Sequence, residues 1–174
     1  MPAPPDSGFA SGPHPASLPT EVLLADCDIQ FQRRSGPGGQ HRNKVETAVV
    51  LRHRATGVQA MASERRQQAE NRAVAIERLR VALALRVRCG WSEPSDLWRS
   101  RCQAGRIVVS SRHPHLAAVL AEALDALAAC GWDVAQAIER LGCTKTQLVR
   151  FLKDHDGLQQ LNDQRAAQGL PRLL

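Results

Sequence analysis

The sequence predicts an α+β fold, a short β-sheet packed on one long helix and followed by a helical C-terminal segment, and three observations carry that prediction. Runs of β-branched or alternating apolar residues come first, near residues 29–31, 47–53 and 58–61. Apolar residues at three- and four-residue spacing then recur between residues 63 and 90. Leu/Ala-rich segments punctuated by glycine fill residues 114–153. A chain of 174 residues with 43% hydrophobic content can bury a core.

Taken in order, the first 19 residues hold six of the ten prolines and no Lys or Arg, which reads as a flexible Pro-rich leader over residues 1–20. That leader has neither the basic start nor the apolar run of a signal peptide. No stretch approaches the roughly 18 apolar residues of a membrane span, so a soluble, cytoplasmic protein without membrane association is expected. Ile29 and Phe31 alternate as a half-buried strand would. Residues 47–53 form a second strand, Ala55-Thr56-Gly57 a turn, and residues 58–61 the returning partner.

Ser63 is the expected N-cap of the long helix, whose apolar stripe is Ala69, Ala73, Ile76, Leu79, Leu83 and Val87, with Gly90 and Pro94 ending it. Its other face carries Arg65, Arg66, Arg72 and Arg80. Residues 107–109 suggest one more short strand. Leu116, Val119, Leu120, Ala123, Leu124 and Leu127 mark a second helix closing near Gly131. Asp133 should cap a third, Gly142 break it, and Thr144 with Gln147 form a capping box for a fourth containing Leu148, Phe151 and Leu152. These last two have helix-turn-helix spacing. The organisation expected is a leader (1–20), a mixed domain (21–111) and a helical segment (112–174).

Five cysteines, none in a Cys-x-x-Cys pair, imply buried reduced thiols rather than disulfides or a metal site, and no cofactor is expected. Charge is more telling. Residues 31–88 contain thirteen Lys or Arg against four Glu, a net of +9, whereas the remaining ten basic and thirteen acidic residues net −3. Such a block is the footprint of a polyanion-binding surface.

Within it stands Ser35-Gly36-Pro37-Gly38-Gly39-Gln40-His41-Arg42-Asn43. Two adjacent glycines permit positive φ and close backbone approach, and Pro37 restricts its own φ, so a narrow loop with Gln40 at its tip is expected. An amide does not titrate near neutral pH, so Gln40 cannot serve as a general base. Its contribution must be positional and electrostatic.

The stretch from Arg33 to Ala48 resembles the peptidyl-tRNA hydrolase domain of bacterial class I peptide chain release factors and their ribosome-rescue relatives, the GGQ domain. Thr56-Gly57 and Arg66-Gln67-Gln68-Ala69-Glu70-Asn71-Arg72-Ala73 are similar to that domain's turn and following helix. The resemblance covers roughly residues 22–90. It implies that Gly38, Gly39 and Gln40 are catalytic in ribosome-dependent hydrolysis of the peptidyl-tRNA ester. Arg33, Arg34, His41, Arg42, Asn43 and Lys44 would meet ribosomal RNA, with Asn43 and Ser35 alternatively capping the loop and His41 alternatively a base. Arg66, Gln68, Asn71 and Arg72 would touch RNA or brace the loop. The implied partners are the ribosome, ribosomal RNA, peptidyl-tRNA and a glutamine methyltransferase acting on Gln40; the chain itself is expected to be monomeric.

The chain departs from the family in three places. Stop-codon readers carry further domains for which 174 residues leave no room, so codon-independent release in ribosome rescue is expected. Short rescue hydrolases end in a basic tail, whereas residues 155–174 balance Arg165 and Arg172 against Asp156 and Asp163. Arg42 stands where the family usually has Val. Two other functions fit the residues: a non-catalytic ribosome- or RNA-binding module, and a helix-turn-helix DNA-binding regulator. The latter has only Lys145, Arg150 and Lys153 to offer a duplex.

Overall fold

The computed structural model describes residues 12–32 and 47–173. The strands β1 (Cys27–Gln32), β2 (Ala48–His53) and β3 (Gln59–Ala62) form an antiparallel sheet in that order. Cys27 faces His53 and Gln32 faces Ala48 at the two ends of the β1–β2 ladder. Between β2 and β3 the chain reverses at Gly57, where φ of 69° suits a residue without Cβ. The Gly57 N–H donates to the His53 carbonyl at 2.8 Å. Val49, Leu51 and Ala62 are buried toward the helix that follows.

A short helix α1 (Thr20–Ala25) precedes the sheet, and the long helix α2 (Gln68–Arg86) packs on β2 and β3. Its buried positions are Asn71, Ala75, Leu79, Leu83 and Ala84, mostly four residues apart. The expected stripe is therefore shifted, because Ala69 and Ala73 are exposed and the polar Asn71 takes the inward position. Ser63 is not the N-cap. The helix starts after Gln67, since the Asn71 side chain reaches back and ties the Arg65 backbone into a turn.

The chain continues through α3 (Asp96–Arg101) and a two-stranded ribbon, β4 (Cys102–Gln103) with β5 (Arg106–Ile107). Only Ile107 of the expected strand at 107–109 belongs to it, and Val108 is 60% exposed. Ser95 caps α3 by accepting the Trp98 N–H at 3.0 Å, and the buried Trp98 indole donates to the Leu141 carbonyl at 2.8 Å. Four helices complete the fold: α4 (Leu116–Ala129), α5 (Val134–Leu141), α6 (Lys145–Asp154) and α7 (Gly157–Ala167).

The cap expected at α5 is present; of the capping box expected at α6 only the Thr144 half forms, because the Thr144 N–H donates to the Gly105 carbonyl at 3.0 Å instead of to the Gln147 side chain. Asp133 accepts the N–H groups of Ala135 and Gln136 at 2.7 and 3.2 Å, and Thr144 accepts that of Gln147 at 3.3 Å. Gly142 closes α5 in the left-handed conformation, φ 68°. α4 is buried around most of its circumference and packs against α2, α3, α5 and α7. One hydrophobic core accordingly runs from Ala16 and Val49 through Leu83 and Leu124 to Leu161, across the boundary expected at residue 111.

The leader expected over residues 1–20 lies partly within the described residues. Residues 1–11 lie outside the described residues, but the chain is docked from His14 on. The His14 Nε2–H donates to the Val87 carbonyl at 3.1 Å, and Nδ1 accepts the Ala16 N–H at 3.0 Å. Arg80 donates to the Ala16 carbonyl at 2.8 Å and to the Thr20 hydroxyl at 3.2 Å. Arg80 therefore holds the N-terminal segment instead of facing phosphate. Among the described residues no helix is long and apolar enough to cross a membrane.

Candidate functional site

β1 and β2 end on facing residues, so the segment between Gln32 and Ala48 leaves and re-enters the sheet at one point. Gly38, Gly39 and Gln40, with Arg33, Arg34, His41, Arg42, Asn43 and Lys44, lie outside the described residues. What is described is their mounting. Thr47, the residue before β2, offers its carbonyl to the Asn71 amide at 2.7 Å. The same amide donates to the Arg65 carbonyl at 3.0 Å, and the Asn71 Oδ1 accepts the Arg65 N–H at 2.9 Å.

Asn71 is fully buried, and its one amide satisfies three backbone groups from two segments that lack regular structure. This fixes the re-entry of the segment to the first turn of α2. It also leaves Asn71 no surface for direct contact with RNA; of the two roles open to it, bracing is the one its geometry permits. Sequence pattern gave no sign that an asparagine would occupy the inward position of the stripe.

Arg66, Gln68 and Arg72 occupy the same corner and are exposed. Arg65 is also exposed, beside the clamped backbone. The other end of this face is tied down, since Arg78 pairs with Glu64 and donates to the Met61 carbonyl at 2.8 Å, linking α2 to the end of β3. The corner thus presents Arg65, Arg66 and Arg72 on a backbone held by buried hydrogen bonds, a surface suited to phosphate.

The cysteines are all free, four buried and Cys102 partly so. Burial pushes the Cys89 thiol up to about 11 and the Cys143 thiol up to about 12, so neither supplies a thiolate near neutral pH. Among the described residues one group has metal-ligand character: His14, Cys89 and Asp125, whose ligand atoms lie within 4.8 Å of one another. Both His14 nitrogens are committed to backbone, and Asp125 Oδ1 accepts from Arg88 and from the Cys89 N–H, each at 3.1 Å. The group works as an internal lock between the N-terminal segment, the end of α2 and α4.

The paired ends at Gln32 and Ala48 and the helix bearing Asn71 lie within residues 17–106, which match the RF-1 domain family over just over half of the chain. The chain belongs to the RF-1 domain family. Peptide chain release factor PrfB1, chloroplastic, of Arabidopsis thaliana is 46% identical over 63 residues, 36% of this chain and 14% of that protein. Peptide chain release factor 1 of Acidiphilium cryptum is 44% identical over 71 residues, 41% of this chain and 20% of that protein. Peptide chain release factor 2 of Aromatoleum aromaticum is 37% identical over 90 residues, 51% and 24% respectively. The chain spans a quarter or less of the length of these relatives. The RF-1 domain match ends at residue 106, so α4 to α7 lie beyond it.

Proposed function

We propose that this RF-1 domain protein hydrolyses the ester joining a nascent peptide to tRNA, acting in the peptidyl transferase centre of the large ribosomal subunit without reading a codon, in ribosome rescue. The observation that carries this is the position of Gly38-Gly39-Gln40. The tripeptide stands inside the family-matched residues, on a segment whose two ends are paired at Gln32 and Ala48 and whose return is clamped by Asn71. A rigid mounting is what a catalytic tip needs when its chemistry is positional.

In this reading the Gln40 backbone N–H stabilises the oxyanion, and the side-chain amide orders the attacking water and excludes larger nucleophiles. Gly38 and Gly39 permit the backbone to present that N–H. Arg33, Arg34, His41, Arg42, Asn43 and Lys44 hold ribosomal RNA, with Arg66, Gln68 and Arg72 extending the same contact. The partners are the ribosome, its RNA, peptidyl-tRNA and a methyltransferase modifying Gln40. The protein acts as a cytoplasmic monomer.

Peptide release from stalled ribosomes tests this directly. Wild type should release peptide, and Gly39→Ala should slow release by about a hundredfold through loss of the oriented donor. Equal and negligible release by both proteins would refute catalysis. Ribosome binding that falls with salt, without release, would instead select a non-catalytic ribosome-binding module. The DNA-binding alternative draws less support, because the Arg150 guanidinium on α6 lies 3.7 Å from Asp154 of its own helix and Lys145 and Lys153 are the helix's other cations.

A further inference from the structure

The second half of α2 and the start of α4 enclose a cleft of about 370 Å³ on the surface. Its floor is aliphatic, formed by Val81, Ala82 and Leu85 from α2 and by Leu116 from α4. Its rim is cationic. Four arginines line it against a single acid, Glu77. Two of the four are engaged: Arg78 pairs with Glu64, and Arg80 holds the N-terminal segment. Arg86 and Arg112 are exposed, one on each wall.

Guanidinium charge outweighs the single acid at this rim. Arg86 belongs to the last turn of α2, and α4 begins beside Arg112 with no side-chain cap at its N-terminus, so the positive end of its dipole adds to the two guanidiniums. His113 lines the cleft with its Nδ1 accepting the His115 N–H at 3.0 Å. Burial, then the nearby Arg101 and His115, depress its basicity. An apolar floor under a cationic rim matches a ligand with a flat, weakly polar face and an attached anion.

We propose that this cleft binds one nucleotide of single-stranded RNA, with the base on the aliphatic floor and its flanking phosphates at Arg86 and Arg112. The choice of RNA rests on the proposed ribosomal function. The site itself is a feature of this chain. One of its walls, residues 111–117, lies beyond the residues that match the RF-1 domain, so the helical extension and the domain build it together. It would give the start of α4 a part in targeting.

The test uses the full chain, a fluorescent hexauridylate carrying 4-thiouridine, and vacant large ribosomal subunits. Arg86→Glu with Arg112→Glu should raise the Kd for the hexamer at least tenfold and lower the slope of log K against log salt by about 1.4, two phosphate contacts on a single strand. Lys145→Glu with Lys153→Glu, an equal change of charge on the exposed face of α6, should change it less than threefold. Ultraviolet crosslinks should map to residues 81–86 and 111–117.

Equal weakening by the control pair, or crosslinks confined to other segments, would overturn the proposal. So would unchanged hexamer binding alongside weakened subunit binding, which would assign the cleft to an acidic ribosomal protein. The two proposals fail separately. Wild type that binds the hexamer through the cleft yet releases no peptide would count against the catalytic reading alone.

Discussion

Asn71 is the residue that joins the start of β2 to the first turn of α2. Its amide is surrounded by protein, so truncation would leave the Thr47 carbonyl and the Arg65 backbone without partners in a buried corner. Leaving buried polar groups unpaired costs about 1–3 kcal/mol each, less whatever water recovers. Asn71→Ala is therefore expected to destabilise the fold by about 2–4 kcal/mol, measured by denaturant unfolding. Asn71→Asp should be no better, because it keeps the acceptor for the Arg65 N–H but sets a carboxylate against two carbonyls. If catalysis depends on the mounting, both variants should also release peptide more slowly at temperatures where they remain folded. Equal stability of Asn71→Ala and wild type would show that the clamp carries no weight.

At the scale of elements, the N-terminal segment is held by titratable and cationic groups rather than by a large apolar face. Burial depresses His14 from 6.5 to about 4, opposed by its bond to the Val87 carbonyl and assisted by Arg88. A histidine held neutral in the fold contributes stability above its unfolded value, and that contribution is lost as pH falls from 6.5 toward 4. Asp125 runs the other way, since burial raises it to about 6 despite Arg88, and its penalty is relieved over much the same range. Wild type therefore shows little net dependence from this cluster. The difference between wild type and His14→Gln isolates the histidine: it should shrink by up to about 3 kcal/mol between pH 7 and pH 4, followed by denaturant midpoints. A constant difference would place the His14 ring outside the core. The helix termini give a simpler check. Asp133→Ala should cost about 1 kcal/mol through loss of the α5 cap, and Gly142→Ala about the same through left-handed strain, since open space surrounds its missing Cβ.

Across the whole molecule, what was legible in the sequence is what local pattern encodes. The three strands, the Asp133 and Thr144 caps and the turn at Gly57 all follow from residues adjacent in the chain. α7 escaped because its buried positions include Gly157, Asn162 and Arg165, which no apolar stripe reveals. The docking of residues 14–18 escaped because His14 and Arg80 find backbone partners distant in sequence. The Gly38-Gly39-Gln40 tripeptide and the basic block are patterns of neighbouring residues, whereas the Asn71 clamp and the cleft between α2 and α4 exist only once remote segments meet.

The same long-range packing crosses the division expected at residue 111. Leu83 and Ala84 of α2 and Leu120 and Leu124 of α4 are all fully buried in one continuous core, so removing residues 112–174 would expose the back of α2 together with Trp98, whose indole bonds to the Leu141 carbonyl. Fully burying a large aliphatic side chain is worth about 1.5–3 kcal/mol, and several would be lost at once against a total stability of about 5–15 kcal/mol. A chain ending at residue 111 is thus expected to lose cooperative unfolding and to bind hydrophobic dyes, even though it contains every residue of the RF-1 domain match. The full chain should instead unfold in a single transition when followed by tryptophan fluorescence and by circular dichroism. Two separated transitions, or a cooperative fold in the shortened chain, would mean that the helical extension is a passenger and that its core with α2 is not what stabilises the domain.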